Sequence, residues 1–171
     1  MVITIATPSL VLLIGISGSG KSTFARKYFP STQIVSSDYC RALICDDENN
    51  QTINEDTFAL LHWLVQKRLE HRRLTVIDAT NVKALARQPL LALAKAQEVP
   101  AIAIVFNFEL EFCLHQNAQR TQRVVPAEIL TEQFQELQSS LPNLKNEGFH
   151  SVYEFSSVEE MEKSLLRLLG L

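Results

Sequence analysis

The stretch Gly15–Ser22, which reads GISGSGKS, decides how the rest of this chain is interpreted. It follows Leu10–Ile14, an unbroken apolar run that predicts a strand buried on both faces. It precedes Thr23–Phe29, which predicts a helix ending before Pro30. A strand, a glycine-rich turn and a helix in this order are the context in which the pattern G-x-x-x-x-G-K-[ST] binds phosphate. The stretch therefore predicts a nucleoside triphosphate site.

Each part of this stretch has an expected role. The glycines allow backbone N–H groups to turn inward toward an anion, and the helix N-terminus adds partial positive charge. Lys21 is expected on the β- and γ-phosphates of ATP, and the Ser22 hydroxyl is expected as a ligand of Mg²⁺. The alternative is an ordinary Gly/Ser turn before a helix, although all four fixed positions of the pattern match. The residues predicted to bind the nucleotide are Gly15, Ser17, Gly18, Ser19, Gly20, Lys21, Ser22 and Thr23.

Length and composition indicate one ordinary globular domain spanning residues 1–171. A net charge of −3 gives no overall attraction to nucleic acid, so such binding would need a local basic patch. The three cysteines are an odd number and contain no C-x-x-C pair, so we expect free thiols in a reducing compartment and not a set of disulfides or zinc ligands. The first residues lack a charged signal-peptide start, and no apolar run has the roughly 18 residues that span a bilayer. We expect a cytoplasmic protein without a membrane partner.

The remaining hydrophobic pattern alternates between strands and helices. The helix expected after residue 51 opens with a capping box, Thr52–Glu55, and carries apolar side chains at helical spacing from Phe58 to Leu69. Pro89 is expected to break the next helix near Gln88. The predicted strands are Gln33–Ser37, Leu74–Asp78, Ala101–Phe106 and Ser151–Phe155; the predicted helices are Asp38–Ile44, Val82–Gln97, Glu109–Ala118, Pro126–Ser140 and Val158–Leu169.

Strands that are apolar on both faces and alternate with helices predict a parallel sheet sandwiched between helices. The expected fold class is therefore the α/β fold of P-loop proteins, with a helical lid. Because ligands of such sheets bind beyond the carboxyl ends of the strands, we expect Gly15–Ser22, Asp38 and Asp78 at one edge of the sheet.

Transfer of phosphate to a bound acceptor fits the motifs better than a switch or a motor. The chain has no N-K-x-D tetrapeptide for guanine, and no glutamate follows Asp78 to activate water. Asp38 is the candidate general base, although it could simply cap its helix. Arg41 lies on the same side of that helix and could hold an acceptor phosphate. Asp78 could orient water around Mg²⁺ or cap the turn that follows it, and the sequence leaves both open.

A second cationic element is Arg120-Thr121-Gln122-Arg123, between two predicted helices. Arginines in a mobile connection suit a lid that closes over the substrate and offsets charge on the transferred group. Two solvated surface arginines are the alternative. We therefore count Arg120 and Arg123, with Lys21, Asp38 and Arg41, among the candidate catalytic residues.

Taken together, the motifs GxxGSGKSTF, VSSDxCR, DDEN, VIDATN and NxxRTxR, in this order from Gly15 to Arg123, resemble the kinase domain of bacterial polynucleotide kinase-phosphatase. The resemblance implies transfer of the ATP γ-phosphate to the 5′-OH end of a single-stranded RNA or DNA, with Mg²⁺ as cofactor. It implies that Asp38 is the base, that Arg41 engages an acceptor phosphate, and that Arg120 and Arg123 act from the lid. It further implies phosphatase and ligase modules in a longer RNA-repair protein.

One position departs from the family pattern. Four residues before Arg120 the family has an arginine, and this chain has Gln116. A glutamine donates a hydrogen bond but carries no charge, so one contact to the ATP phosphates is expected to be weaker. A kinase of a small metabolite or nucleoside, and a nucleotide-binding regulatory module, remain the alternatives.

Overall fold

The computed structural model describes residues 1–121 and 123–170. In chain order, its strands are β1 (Val2–Ala6), β2 (Leu10–Gly15), β3 (Ile34–Ser36), β4 (Thr75–Asp78), β5 (Ala101–Phe106), β6 (Ser151–Phe155) and β7 (Leu165–Leu169). Its α-helices are α1 (Lys21–Tyr28), α2 (Ser37–Cys45), α3 (Asn54–Glu70), α4 (Ala84–Ala96), α5 (Leu110–Ala118), α6 (Ala127–Ser140) and α7 (Val158–Glu162). Short 3₁₀ helices span Ser31–Gln33, Gln51–Ile53 and Leu141–Asn146.

Five of these strands form one parallel sheet in the order β3-β4-β2-β5-β6. From β2 the chain crosses to β3 at one edge of the sheet, returns through β4, and then continues with β5 on the other side of β2. The strand order therefore reverses around β2, and ligands of such sheets bind at this reversal, beyond the carboxyl ends of the strands. The predicted class, a P-loop α/β sheet flanked by helices, is confirmed.

The central strands of this sheet are apolar because helices cover them. All six residues of β2 and all six of β5 are buried. Helix α1 packs on the sheet through Phe24. Its ring forms an edge-type contact with Phe106 at a centroid distance of 5.4 Å and a tilted contact with Phe155 at 5.9 Å. Buried strands and aromatic packing of this kind fix the position of the turn between β2 and α1.

The chain ends differ from the sequence-based expectation. The predicted closing helix Val158–Leu169 is wrong, because α7 stops at Glu162 and β7 pairs in parallel with β1 in a separate two-stranded sheet. Strand β1 was not predicted. Its Ile3 and Ile5 are fully buried, so β1 packs against the core. Strand β7 then pairs with the backbone of β1. Tertiary pairing has here overridden a helical pattern of leucines.

Three local predictions are also corrected. Helix α4 runs through Pro89 without a break; the carbonyl that loses its hydrogen bond belongs to Leu85, which is exposed and can be solvated. The capping box at residues 52–55 is absent, since α3 begins at Asn54 and the Thr52 N–H donates to Asn50 Oδ1 at 3.0 Å. Helix α2 begins one residue before Asp38.

Within residues 1–121 and 123–170, no helix combines the length and the apolar character needed to cross a membrane.

Candidate phosphoryl-transfer site

The register of the sheet brings the predicted site residues to one edge. Asp78, the last residue of β4, pairs with Ser36 of β3 on one side and with Leu13 of β2 on the other. Asp38 follows Ser36 by two residues, and the glycine-rich turn begins two residues after Leu13. This edge of the sheet therefore carries the turn, Asp38 and Asp78 together, as the strand order required.

The glycine-rich turn depends on its glycines for both conformation and space. Gly18 and Gly20 have φ angles of 82° and 88°, in the left-handed region that favours glycine. A Cβ atom at Gly18 would lie 2.3 Å from the Cys113 carbonyl oxygen, and one at Gly15 would lie 3.0 Å from Phe106 Cβ. Gly20 directly precedes α1 at its N-cap. This is the geometry of a phosphate cradle at a helix N-terminus.

The turn is braced by the loop after β4 and by α6. The Gly15 N–H donates to the Thr80 carbonyl at 3.0 Å, and Asn81 Nδ2 donates to the Leu13 carbonyl at 2.8 Å. From α6, Gln133 Oε1 accepts the Ser17 N–H at 2.8 Å. Helix α6, which follows the lid, is thus bonded directly to the cradle.

The Lys21 side chain lies inside the cradle. It is buried, and its Nζ donates to the Ile16 carbonyl at 2.8 Å. Burial lowers the pKa of Lys21 to about 8, with the Asp78 carboxylate opposing that shift and the Arg120 guanidinium adding to it. A buried ammonium with few partners is favourably placed for an anionic ligand.

The Ser22 hydroxyl and the Asp78 carboxylate provide a donor pair for a divalent cation. Burial raises the pKa of Asp78, and the Lys21 ammonium and a hydrogen bond from Ser22 hold it back. Hydroxyl and carboxylate oxygens together suit Mg²⁺, which usually takes one or two protein ligands and fills its other positions with water and phosphate oxygens. The residues present therefore fit Mg²⁺. The turn after β4 is held by Asn81.

The candidate base, Asp38, lies in the first turn of α2 and contacts two arginines. Arg41 Nη1 donates to Asp38 Oδ1 at 2.9 Å, and Arg123 forms a second ion pair with the same oxygen. The N-cap of α2 is Ser36, whose hydroxyl accepts the Tyr39 N–H at 3.3 Å. Asp38 therefore does not cap the helix, and its side chain, 41% exposed, is accessible from the site.

Arg41 is an internal brace of Asp38 in this conformation. Its side chain is only 4% exposed, and it also donates to the Glu48 carbonyl at 3.1 Å and to Asn54 Oδ1 at 2.8 Å. Glu48 belongs to the DDEN stretch, so this motif supplies a backbone acceptor for the arginine. Among the described residues, Arg41 Nε has no hydrogen-bond partner. Contact between Arg41 and an acceptor phosphate stays a prediction.

The predicted lid is the connection between α5 and α6. Arg120 is exposed and its charge is felt at Lys21, and Arg123 is partly buried against Asp38. The two arginines therefore interact with different parts of the site. Arg120 acts on Lys21 in the cradle, and Arg123 contacts the candidate base. Gln116 is exposed on the last turn of α5. Gln122, which belongs to the predicted lid tetrapeptide, lies outside the described residues.

A cleft of about 710 Å³ is lined by residues that support these groups. Its wall includes Asn54, which binds Arg41, and Gln133, which binds the cradle. The cleft is therefore lined by residues that support Arg41 and the phosphate loop, although neither Arg41 nor the loop lines it directly. Other residues that line it are Phe58, Thr80, Lys83, Glu132 and Glu136.

Several supporting residues were not found from the sequence. Asn54 was assigned to a capping box and Phe58 to the core, Asn81 was noted only as the end of the VIDATN motif, and Gln133 carried no motif signal. Asn117 lies in the NxxRTxR motif but received no role. Such residues act through contacts between distant segments, which spacing along the chain does not reveal.

The family model AAA_33, described as an AAA domain, matches residues 10–144 of this chain. That range contains the cradle, Asp38, Asp78 and the predicted lid.

Solved structures with kinase folds superpose on the chain. It is 23% identical to a chain of the Pnkp1/Rnl/Hen1 RNA repair complex, at a TM-score of 0.69, over 81% of this chain and 47% of the other. A putative kinase from Chloroflexus aurantiacus matches at 14% identity and a TM-score of 0.62, over 90% and 91% of the two chains. Shikimate kinase from Acinetobacter baumannii, in complex with shikimate, matches at 18% and 0.56, over 90% and 87%. These likenesses establish the fold of P-loop kinases, and the chain spans under half the length of the RNA-repair chain.

Proposed function

This chain belongs to the AAA_33 family of AAA domains, and we propose that it is a phosphotransferase, specifically an ATP-dependent polynucleotide 5′-hydroxyl kinase. The observation that carries the proposal is the placement of Asp38. Its carboxylate lies at the same edge of the sheet as the cradle, is held by Arg41 and is contacted by an arginine of the lid. Asn54, which accepts a hydrogen bond from Arg41, lines an open cleft. Transfer to an acceptor requires a base in this position.

The residues divide the reaction between them. The backbone of the cradle and Lys21 would hold the phosphates of ATP, and Ser22 with Asp78 would hold Mg²⁺, which when bound would offset charge on the phosphate oxygens. Asp38 accepts the proton of the acceptor hydroxyl. As that hydroxyl arrives, Arg123 is released from Asp38 toward the transferred group, where charge develops.

Two features support a polynucleotide as the acceptor. The motif set from Gly15 to Arg123 resembles bacterial polynucleotide kinase domains, and a chain of an RNA repair complex superposes over most of this one. Phosphatase and ligase modules in a longer natural protein belong to the same proposal. RNA and DNA ends share the 5′-hydroxyl, so both are candidates.

The charge of the cleft favours a second candidate, a kinase of a small polar acceptor. Among the residues lining the cleft, Glu132 and Glu136 are acidic and Lys83 is basic. Lys83 is itself 3.8 Å from Glu136. A polynucleotide with several phosphates is not attracted electrostatically to such a wall, whereas a neutral polyol or nucleoside can donate hydroxyl hydrogen bonds to the carboxylates. The two candidates differ in whether the acceptor must be an oligonucleotide.

The test is transfer of labelled γ-phosphate from ATP·Mg²⁺ to a single-stranded 5′-OH oligonucleotide. We expect labelling of this strand and none of the same strand already phosphorylated at its 5′ end. Asp38→Asn should lower kcat by about 100-fold or more, because the amide cannot accept the proton. Asp56→Asn, the same change at an exposed position of α3, should leave kcat unchanged.

Absence of label despite measurable ATP binding would contradict the polynucleotide assignment. Label on nucleosides or sugar alcohols under those conditions would establish the second candidate. Near-normal transfer by Asp38→Asn would remove Asp38 as the base whichever acceptor is used.

A further inference from the structure

The connection between α5 and α6 is closed at its base by one side chain, that of Asn117. Its Nδ2 donates to the Val125 carbonyl at 2.7 Å, and its Oδ1 accepts the Val125 N–H at 3.1 Å. Both ends of the amide are thus used on the backbone of a single residue, eight positions along the chain. Such a reciprocal pair has the pattern of two backbone strands and fixes the two stems of the connection side by side.

Burial makes this pairing strong and specific. Asn117 is 3% exposed, although Arg120 and Val124 between the two stems are exposed. A buried amide that loses a partner keeps the full cost of desolvation, so the closed arrangement is favoured over one in which the stems separate. The Arg120 N–H donates to the Asn117 carbonyl at 3.2 Å, which ties the first lid arginine to the same residue.

The closed base is also in contact with the phosphate cradle. A Cβ atom at Gly18 would lie 3.3 Å from Asn117 Cβ, so the backbone of the cradle packs directly against this side chain. On the α6 side, Gln133 accepts the Ser17 N–H at 2.8 Å. Both sides of the lid therefore contact the cradle, and these contacts fix the position of the arginines between them relative to the cradle.

We propose that Asn117 is a positioning residue that clasps the lid and sets where Arg120 and Arg123 stand relative to the phosphate cradle. This inference rests on the proposed phosphotransferase function, because the arginines matter for rate only if phosphate is transferred. Transfer loses rate steeply when a group is misplaced by about 1 Å. Asn117 touches neither the phosphates nor the acceptor in this role, and it acts through the loop that it closes.

Asn117→Asp is the sharpest variant. It keeps the size of the side chain and the acceptor for the Val125 N–H, but it sets a carboxylate oxygen against the Val125 carbonyl in place of a donor. Asn117→Ala removes both bonds and serves as the second variant in case the aspartate disturbs folding. Asn143→Ala, at an exposed asparagine of the 3₁₀ helix Leu141–Asn146, is the matched control.

The experiment has one readout that depends on activity and one that does not. Limited trypsin digestion, with fragments identified by mass, measures the rate of cleavage after Arg120 and Arg123. Release of phosphate from ATP·Mg²⁺ and its transfer to a 5′-OH oligonucleotide measure kcat, and ATP titration measures Kd. For both Asn117 variants we expect cleavage to accelerate about tenfold and kcat to fall about tenfold, which corresponds to about 1.4 kcal/mol, with Kd for ATP changed less than about threefold.

Cleavage at the wild-type rate in both variants would overturn the clasp. Faster cleavage with unchanged kcat would overturn the positioning role. Equal losses in kcat and in ATP binding would indicate damage to the cradle, and would also overturn it. If the wild-type protein transfers phosphate to nothing, the proposed function fails, while the digestion arm by itself still supports or overturns closure of the loop by Asn117.

Discussion

Lys21 shows how burial changes the protonation of one side chain in the phosphate cradle. Burial lowers its pKa to about 8, because the ammonium has exchanged water for the Ile16 carbonyl and neighbouring charges of both signs. In the free protein between about pH 8 and its ordinary pKa, the folded chain binds fewer protons at this group than the unfolded chain does. The contribution of Lys21 to folding stability therefore becomes more favourable as the pH rises through that window.

Nucleotide binding should reverse this shift. Phosphate oxygens stabilise the ammonium, so the pKa of Lys21 rises on binding and a proton is taken up when ATP binds above about pH 8. Affinity should then fall with rising pH, by up to about tenfold per pH unit. Calorimetric titration of ATP in two buffers of different ionisation enthalpy, near pH 7 and near pH 9, measures the uptake.

Lys21→Arg should abolish this proton uptake, because a guanidinium stays charged throughout the range. Lys95→Arg, the same change at an exposed residue of α4, should leave it intact. Proton uptake that persists in Lys21→Arg would assign the linkage to another group and contradict the described environment of Lys21.

Residue spacing predicted pairs within one helix turn but not contacts between segments. The three-residue separation of Asp38 and Arg41 correctly placed both on one side of α2. The other partners of Arg41, the Glu48 carbonyl and Asn54, come from the loop after α2 and from the start of α3. No local pattern identifies Asn54 as a ligand of a buried guanidinium, so the brace became visible only in the fold.

At the scale of elements, sequence reasoning was reliable where helices cover the strands on both sides. Strands β2, β4 and β5 were predicted nearly to the residue, because apolar runs this short, bounded by turn residues, favour a strand over a helix. The segment 158–169 failed for the opposite reason. Its leucines fit helical spacing, but β1 offers them a pairing edge, and this edge lies more than 150 residues away in the chain. Long-range pairing of this kind leaves no trace in a local window.

The lid is the element in which this chain departs from the motif that it resembles. Gln116 is exposed one turn before Arg120, at the end of α5 that faces the cradle through Asn117. Gln116→Arg should add a cation near the ATP phosphates and lower KM for ATP by about threefold to tenfold, since charge-assisted hydrogen bonds are about twice as strong as neutral ones.

Steady-state kinetics at several salt concentrations would measure the effect of Gln116→Arg, because added salt weakens an exposed charge contact. Gln119→Arg, also exposed at the end of α5, is the control for a general increase in positive charge. Equal effects of the two variants would show that position 116 does not face the phosphates.

At the scale of the whole molecule, the strand order explains why one sheet edge collects the chemistry. The strand order reverses around β2 and leaves a crevice at the carboxyl ends of the strands. Asp38 follows β3, Asp78 ends β4 and the cradle follows β2, so all three lie at this crevice. The sequence predicted this grouping from the alternation of strands and helices. It did not predict the cleft beside it, because the cleft wall is assembled from α3, α4, α6 and the loop after β4.

A buried ion pair holds that wall together. Arg87 of α4 is fully buried and donates two hydrogen bonds to Glu147, at 2.7 and 2.5 Å. It also donates to the carbonyls of Asn81 and Val82, at 2.7 and 2.9 Å, in the loop that lines the cleft and braces the cradle. One guanidinium thus joins α4, the loop after β4 and the end of the Leu141–Asn146 helix.

Arg87→Met should destabilise the protein by about 3–5 kcal/mol, because it leaves the Glu147 carboxylate and two carbonyls without their donor in a buried setting. Urea unfolding followed by circular dichroism measures the loss as a lower midpoint at unchanged slope. The double variant Arg87→Met/Glu147→Leu should recover part of the stability, since an apolar pair of similar volume removes the unpaired charge. Arg26→Met, at an exposed arginine of α1, should change stability by less than about 0.5 kcal/mol. A loss below about 1 kcal/mol in Arg87→Met would mean that water replaces the guanidinium and that the cleft wall does not depend on this pair.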